Sequence, residues 1–135
     1  MLFGTITVPP AVIQEIAPSV TLPEWIEHRA LIQNIGPLIM QASLGQGESE
    51  AISLALESNA RLIILDDRPA RRLAQSLSLP VIGTLGILLL AKKKNLIPAI
   101  KPCLEELLRF DFRIAPFLQE QVLQEQVLKD AGESP

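Results

Sequence analysis

The sequence predicts an α/β domain built on a parallel sheet, and three observations carry that prediction. Leu62 to Leu65 and Val81-Ile82 are apolar runs without alternation, the pattern of strands covered on both faces. Segments with apolar residues at three-to-four spacing lie around them, the pattern of amphipathic helices. Strand and helix signals alternate along the chain, which points to a parallel sheet with right-handed crossovers.

In order, Ile6 to Val8 is a short strand, and Pro9-Pro10 opens a helix over Ala11 to Ile16, because proline suits a first helical turn. Residues 17 to 25, with Pro18 and Pro23, are loop. Trp25 to Arg29 is a short strand carrying the lone His28, and a helix starts at Pro37 after the Gly36-Pro37 break. Gly45-Gln46-Gly47 is a turn, followed by a helix from about Glu48 to Glu57 whose apolar face holds Ala51, Ile52, Ala55 and Leu56. Ser58-Asn59-Ala60 ends it, and Leu62 to Leu65 is a buried strand. Asp67 can cap the next helix, Ala70 to Leu77, with Pro69 in its first turn. Val81-Ile82 is a second buried strand. Helices follow over Leu85 to Lys94, with its lysines where the dipole favours cations, over Leu104 to Phe110, and over Pro116 to Lys129. The tail, residues 130–135, is expected to fray.

A chain of 135 residues is one domain able to bury a core. Hydrophobic residues make up 48% and aromatic residues 4%, so that core is aliphatic. A net charge of −3 argues against a broadly basic nucleic-acid surface but leaves room for a local patch. The lone Cys103 cannot form an internal disulfide, which fits a reducing cytoplasm. The longest apolar run, Val81 to Ala91, is short of the ~20 residues of a membrane span, so no membrane partner is expected. No signal-peptide pattern is present.

The chemistry-bearing residues are acids. Asp66 ends a predicted parallel strand, the edge where open α/β sheets place ligands. Glu48 stands four residues before Ile52 and seven before Ala55, so it extends the buried helix face toward the N-terminal tip, whereas Glu50 points elsewhere. Gathered carboxylates suit a hard cation such as Mg²⁺ or Mn²⁺, which can activate water and stabilise charge on a transferred phosphate. Plainer readings stand beside this one. The helix dipole alone favours Glu48, and Asp67 serves as an N-cap without any catalytic role. Glu15, near a helix end, is uninformative by itself. Arg68, Arg71, Arg72, Lys92, Lys93 and Lys94 form a candidate phosphate-binding rim, although the lysines also suit a solvated helix end. His28 is given no role, and Cys103 and Trp25 are assigned to packing.

Four segments together resemble a family. They are Val-Pro-Pro-Ala-Val-Ile-Gln-Glu (8–15), Leu-Gly-Gln-Gly-Glu-Ser-Glu-Ala-Ile-Ser-Leu-Ala (44–55), Leu-Ile-Ile-Leu-Asp-Asp-Arg-Pro-Ala-Arg (62–71) and Val-Ile-Gly-Thr-Leu-Gly-Ile-Leu-Leu (81–89). They are similar to the PIN-like proteins of prokaryotes, relatives of the VapC-type toxin ribonucleases. The resemblance implies a three-layer α/β/α sandwich with a parallel sheet. It also implies three or four acids that hold Mg²⁺ or Mn²⁺ and cut single-stranded RNA, in the toxin half of a toxin–antitoxin pair. The family's second acid matches Glu15, its third matches Glu48 by the spacing to Ala55, and its fourth matches Asp66, with Asp67 as a further metal contact or a plain cap. The family's opening strand and first aspartate, roughly twenty residues at usual element lengths, would precede Leu2 and are missing. A misassigned start, a truncated gene and a degenerate site all remain open. Loss of a central strand leaves unpaired edges, so homo-oligomerisation or rearranged strand pairing is expected. The alternative to a ribonuclease is a non-catalytic PIN-like module that binds RNA or protein.

Overall fold

Proline sets the first helix. Strand β1 (Ile6–Val8) runs into Pro9, and α1 (Pro10–Ile16) begins at a residue whose φ is already helical. Strand β2 (Ile26–His28) lies parallel to β1, with Ile6 opposite Ile26 and Val8 opposite His28. The computed structural model describes residues 2–16 and 21–109. The expected helix over Pro116 to Lys129 and the tail 130–135 lie outside them. The described residues divide into two compact units, one within 3–84 and one within 85–109.

In the first unit, α2 (Pro37–Gln41) starts at Pro37 behind an extended Gly36. Helix α3 (Gln46–Ser58) begins two residues before the expected Glu48. Gly45 is its N-cap, at φ −59° and ψ 157°, so the Gly-Gln-Gly stretch is a helix entry and not a separate turn. The helix stops at Asn59 in the left-handed region, where Ala60 N donates to Ala55 O at 3.0 Å. Strand β3 (Ile63–Ile64) follows, then α4 (Arg68–Ser76) and β4 (Val81–Ile82), which pairs parallel to β3. Asp67 caps α4 as expected, accepting from Ala70 N at 3.0 Å with Pro69 in the first turn.

Two sequence readings need correction. The described strands form two separate two-stranded parallel sheets, β1–β2 and β3–β4, and not one continuous sheet. Strand β3 is also not covered on both faces. Ile63 and Leu65 are buried, while Leu62 and Ile64 are 37% and 38% exposed. A run of like residues hid an alternation that tertiary packing imposes. The core of the unit centres on Ile52, which is fully buried, with Ile39, Ala55, Ile63, Leu65 and Ala74 around it. Trp25, expected in packing, is 41% exposed.

From Thr84 to Arg109 the described residues hold two helices. Helix α5 (Thr84–Lys93) ends on Lys92 and Lys93, and α6 (Lys101–Arg109) follows it. The second unit has its own core of Leu85, Ile100 and Leu104. Cys103 is half-buried on α6. Among the described residues no helix is long and apolar enough to cross a membrane.

Candidate functional site

The acids take up position for local reasons that can be read one at a time. Glu15, in the last turn of α1, sets its carboxylate against the first turn of α3. Its Oε1 lies 2.6 Å from where a Cβ of Gly47 would stand, and Oε2 3.2 Å. Only glycine at residue 47 leaves that space. The first turn of a helix carries amides without intrahelical acceptors and the positive end of the dipole, so a carboxylate is at home there. Glu48, half-buried, folds back over the same helix entry, with Oε2 2.5 Å from the Cβ position of Gly45. Glu15 and Glu48 therefore both lie against the entry to α3.

Glu50 does a different job. Its Oε1 accepts from Ala11 N at 3.0 Å and its Oε2 from Gln46 Nε2 at 3.1 Å. It ties the start of α1 to α3, in keeping with its being directed away from Glu48. Glu57, at the other end of α3, accepts from Ile32 N and Gln33 N at 2.9 and 3.2 Å.

Asp66 stands just past β3. Extending the β3–β4 register by two residues places it beside Thr84. The last backbone rung is Leu65 N to Ile82 O at 3.0 Å. Beyond it, Thr84 N donates to Asp66 Oδ1 at 2.8 Å and Thr84 Oγ1 donates to Asp66 Oδ2 at 2.5 Å. A side chain thus takes the place of a strand carbonyl. Gly83 makes room: a Cβ there would lie 3.0 Å from Asp66 Oδ1 and 3.2 Å from Arg71 Nη1. One carboxylate oxygen and one guanidinium nitrogen share that space.

Asp67 is occupied as the cap of α4. Arg68 and Arg72 are exposed on α4, and Arg71 is half-buried. Lys92 and Lys93 belong to the second unit, at the end of α5. Among the described residues no three His, Cys, Asp or Glu side chains come close enough together to hold a metal ion. The acids are thus brought together in part, with Glu15 and Glu48 at the entry to α3 and Asp66 at the end of β3.

This order of elements, with an acid late in α1, one in the first turn of α3 and one after β3, can be set against known families. A family model described as a PIN domain matches residues 1–127. The chain belongs to the PIN-domain family. No curated protein and no solved structure matches it. Membership accounts for the mixed α/β fold with parallel strand pairs, and it makes this chain a nuclease-like or nucleic-acid-binding module. Sequence reasoning singles out Glu15, Glu48 and Asp66 as the acids that the resemblance implies, and does not single out Gly47, Gly83 or Thr84. The signals were there: a second glycine inside a helix start, and a Gly-Thr pair directly after a strand.

Proposed function

We propose that this chain is a PIN-type endoribonuclease that uses Mg²⁺ or Mn²⁺ on single-stranded RNA, acting as the toxin of a toxin–antitoxin pair. The observation that carries the reading is the pair of carboxylates at the entry to α3, Glu15 over Gly47 and Glu48 over Gly45, in a chain of the PIN family.

The donor chemistry fits a hard divalent cation. Every candidate ligand is a carboxylate, and each carboxylate oxygen has two lone pairs, so Asp66 keeps acceptor capacity after both oxygens have been used by Thr84. Glu15 and Glu48 at the entry to α3 would supply two of the family's carboxylates and Asp66 a third, although among the described residues the three do not stand together as one ligand group, and Asp67 is confined to capping. When bound, the ion supplies an activated water and neutralises charge on a scissile phosphate. The chain's own contribution is placement. Gly47 leaves the volume that Glu15 enters, and Thr84 orients Asp66. Arg71 sets a guanidinium beside Asp66, where a fork of donors can bind phosphate oxygens in a bidentate manner. Arg68 and Arg72, exposed on α4 of the same unit, would add diffuse attraction for the RNA backbone.

A second reading, an RNA- or protein-binding module without cleavage, is favoured by a different observation: no three acids converge among the described residues. The experiment that separates the two incubates end-labelled single-stranded RNA with the wild type and Asp66→Asn, with Mn²⁺ and with EDTA. Cleavage that requires Mn²⁺ and is lost in the variant supports the nuclease. RNA binding that weakens steeply with salt, with no cleavage in any lane, supports the module.

A further inference from the structure

The segment between β2 and α3 turns apolar side chains outward. Ile32 is 90% exposed, Leu38 63% and Met40 68%. One exposed aliphatic residue means little, but three in the short stretch 32–40 make apolar surface of the kind that marks an interaction site. On α2 only Ile39 is buried, while Pro37, Leu38, Met40 and Gln41 are all exposed.

The loop before α2 is built to hold Ile32 where it is. Glu57, on α3, accepts from Ile32 N through Oε2 at 2.9 Å and from Gln33 N through Oε1 at 3.2 Å. Two oxygens of one carboxylate thus grip successive amides. The backbone under Ile32 is fixed while its side chain stands in water. A contact loop ordered in advance loses less entropy when it binds.

Composition says what such a surface can meet. From Ala30 to Leu44 there is no Asp, Glu, Lys, Arg or His, in a chain that is 20% charged. A surface without cations has no hold on RNA or an anionic membrane, both of which are attracted by Lys and Arg. The long polar side chains exposed there, Gln33, Asn34 and Gln41, all end in amides. An amide both donates and accepts, so it can pair with its own copy, whereas a charged group is repelled by its own copy. Across a two-fold axis the same patch meets itself, and neutral amides among aliphatic side chains suit that contact. The edge of β3 suits it less. That strand is two residues long, with Arg61 before it and Asp66, Asp67 and Arg68 after it, charges that discourage edge pairing.

We infer that the charge-free surface of Ile32, Leu38 and Met40 is where this chain meets a second copy of itself about a two-fold axis. The inference does not depend on the nuclease reading.

The test is sedimentation velocity on the full chain, with circular dichroism to follow folding, for wild type and two double variants. One carries Ile32→Lys with Leu38→Lys, the other Ile32→Glu with Leu38→Glu. Wild type should sediment at twice the 14.8 kDa of one chain. Each double variant should dimerise about 100-fold or more weakly, because like charges then face each other. An equimolar mixture of the two should regain the dimer, because Lys then faces Glu whichever position lies nearer the axis. Ile64→Lys, at the β3 edge, should dimerise as wild type does. A wild type that stays monomeric at high micromolar concentration overturns the proposal and leaves the surface to a different protein. Double variants as dimeric as wild type, or a dimer lost in Ile64→Lys, overturn it by placing the contact elsewhere. A mixture that stays monomeric overturns the two-fold pairing of this surface with itself. Should the double variants fail to fold, Met40→Lys and Met40→Glu decide: an undiminished dimer in both overturns the proposal.

Discussion

Gly47→Ala separates the site from the fold. The new Cβ would lie 2.6 Å from Glu15 Oε1, closer than real Cβ contacts come, and 3.2 Å from its Cδ and Oε2, which is tight. What it meets is the tip of a long side chain on another helix, so Glu15 turns away and the backbone stays. Alanine in place of glycine within a helix is favourable by about 0.5–1 kcal/mol. Removing a carboxylate from a helix N-terminus costs about 0.3–1 kcal/mol. The two are opposite in sign and similar in size, so stability should stay within about 1 kcal/mol of wild type. Urea unfolding measures that, and Mn²⁺ titration measures the site, where affinity should fall by about 10-fold, or roughly 1.4 kcal/mol. A stability loss above about 2 kcal/mol would refute the reasoning, because the methyl would then be striking something that cannot move. Unchanged Mn²⁺ affinity would refute it differently, by showing that Glu15 over Gly47 is not a metal ligand.

Asp67→Ala should lower stability by about 1 kcal/mol through loss of the α4 cap and leave Mn²⁺ affinity unchanged, as urea unfolding and calorimetry on the same variant would show. Ile52→Ala, at the fully buried centre of the first unit, should cost about 2–5 kcal/mol in a denaturant midpoint measurement. Glu57→Ala should speed hydrogen exchange at the amides of Ile32 and Gln33 while leaving amides within α3 protected, since those two amides alone lose their acceptor.

What the sequence makes legible here is local. The Pro9-Pro10 entry, the Asp67 cap with Pro69, the three-to-four spacing around Ile52 and the acid after the strand all follow from neighbours a few residues apart, and each stands where it was expected. What stayed hidden is non-local. Glu50 finds Ala11 across 39 positions, and Asp66 finds Thr84 across 18. No periodicity encodes either contact. The sequence reading makes Gly45 and Gly47 a turn because glycine usually marks one. Here the first caps a helix and the second is kept bare by the carboxylate from α1. Ile64 was expected to be covered because its neighbours are apolar too, but hydrophobic residues can stay at a surface when a sheet has only two strands.

The side-chain rung beyond the β3–β4 ladder ties chemistry to assembly. Asp66 and Thr84 meet only once a loop of 18 residues has closed and the strands have locked into one register. A slip of one residue would move the pair about 3.3 Å apart and turn alternate side chains to the other face. Forms that are incompletely closed or paired out of step therefore lack this pair of bonds, however much helix they contain. The Thr84 hydroxyl bond to Asp66 is therefore a marker of register, present only where β3 and β4 are paired in step.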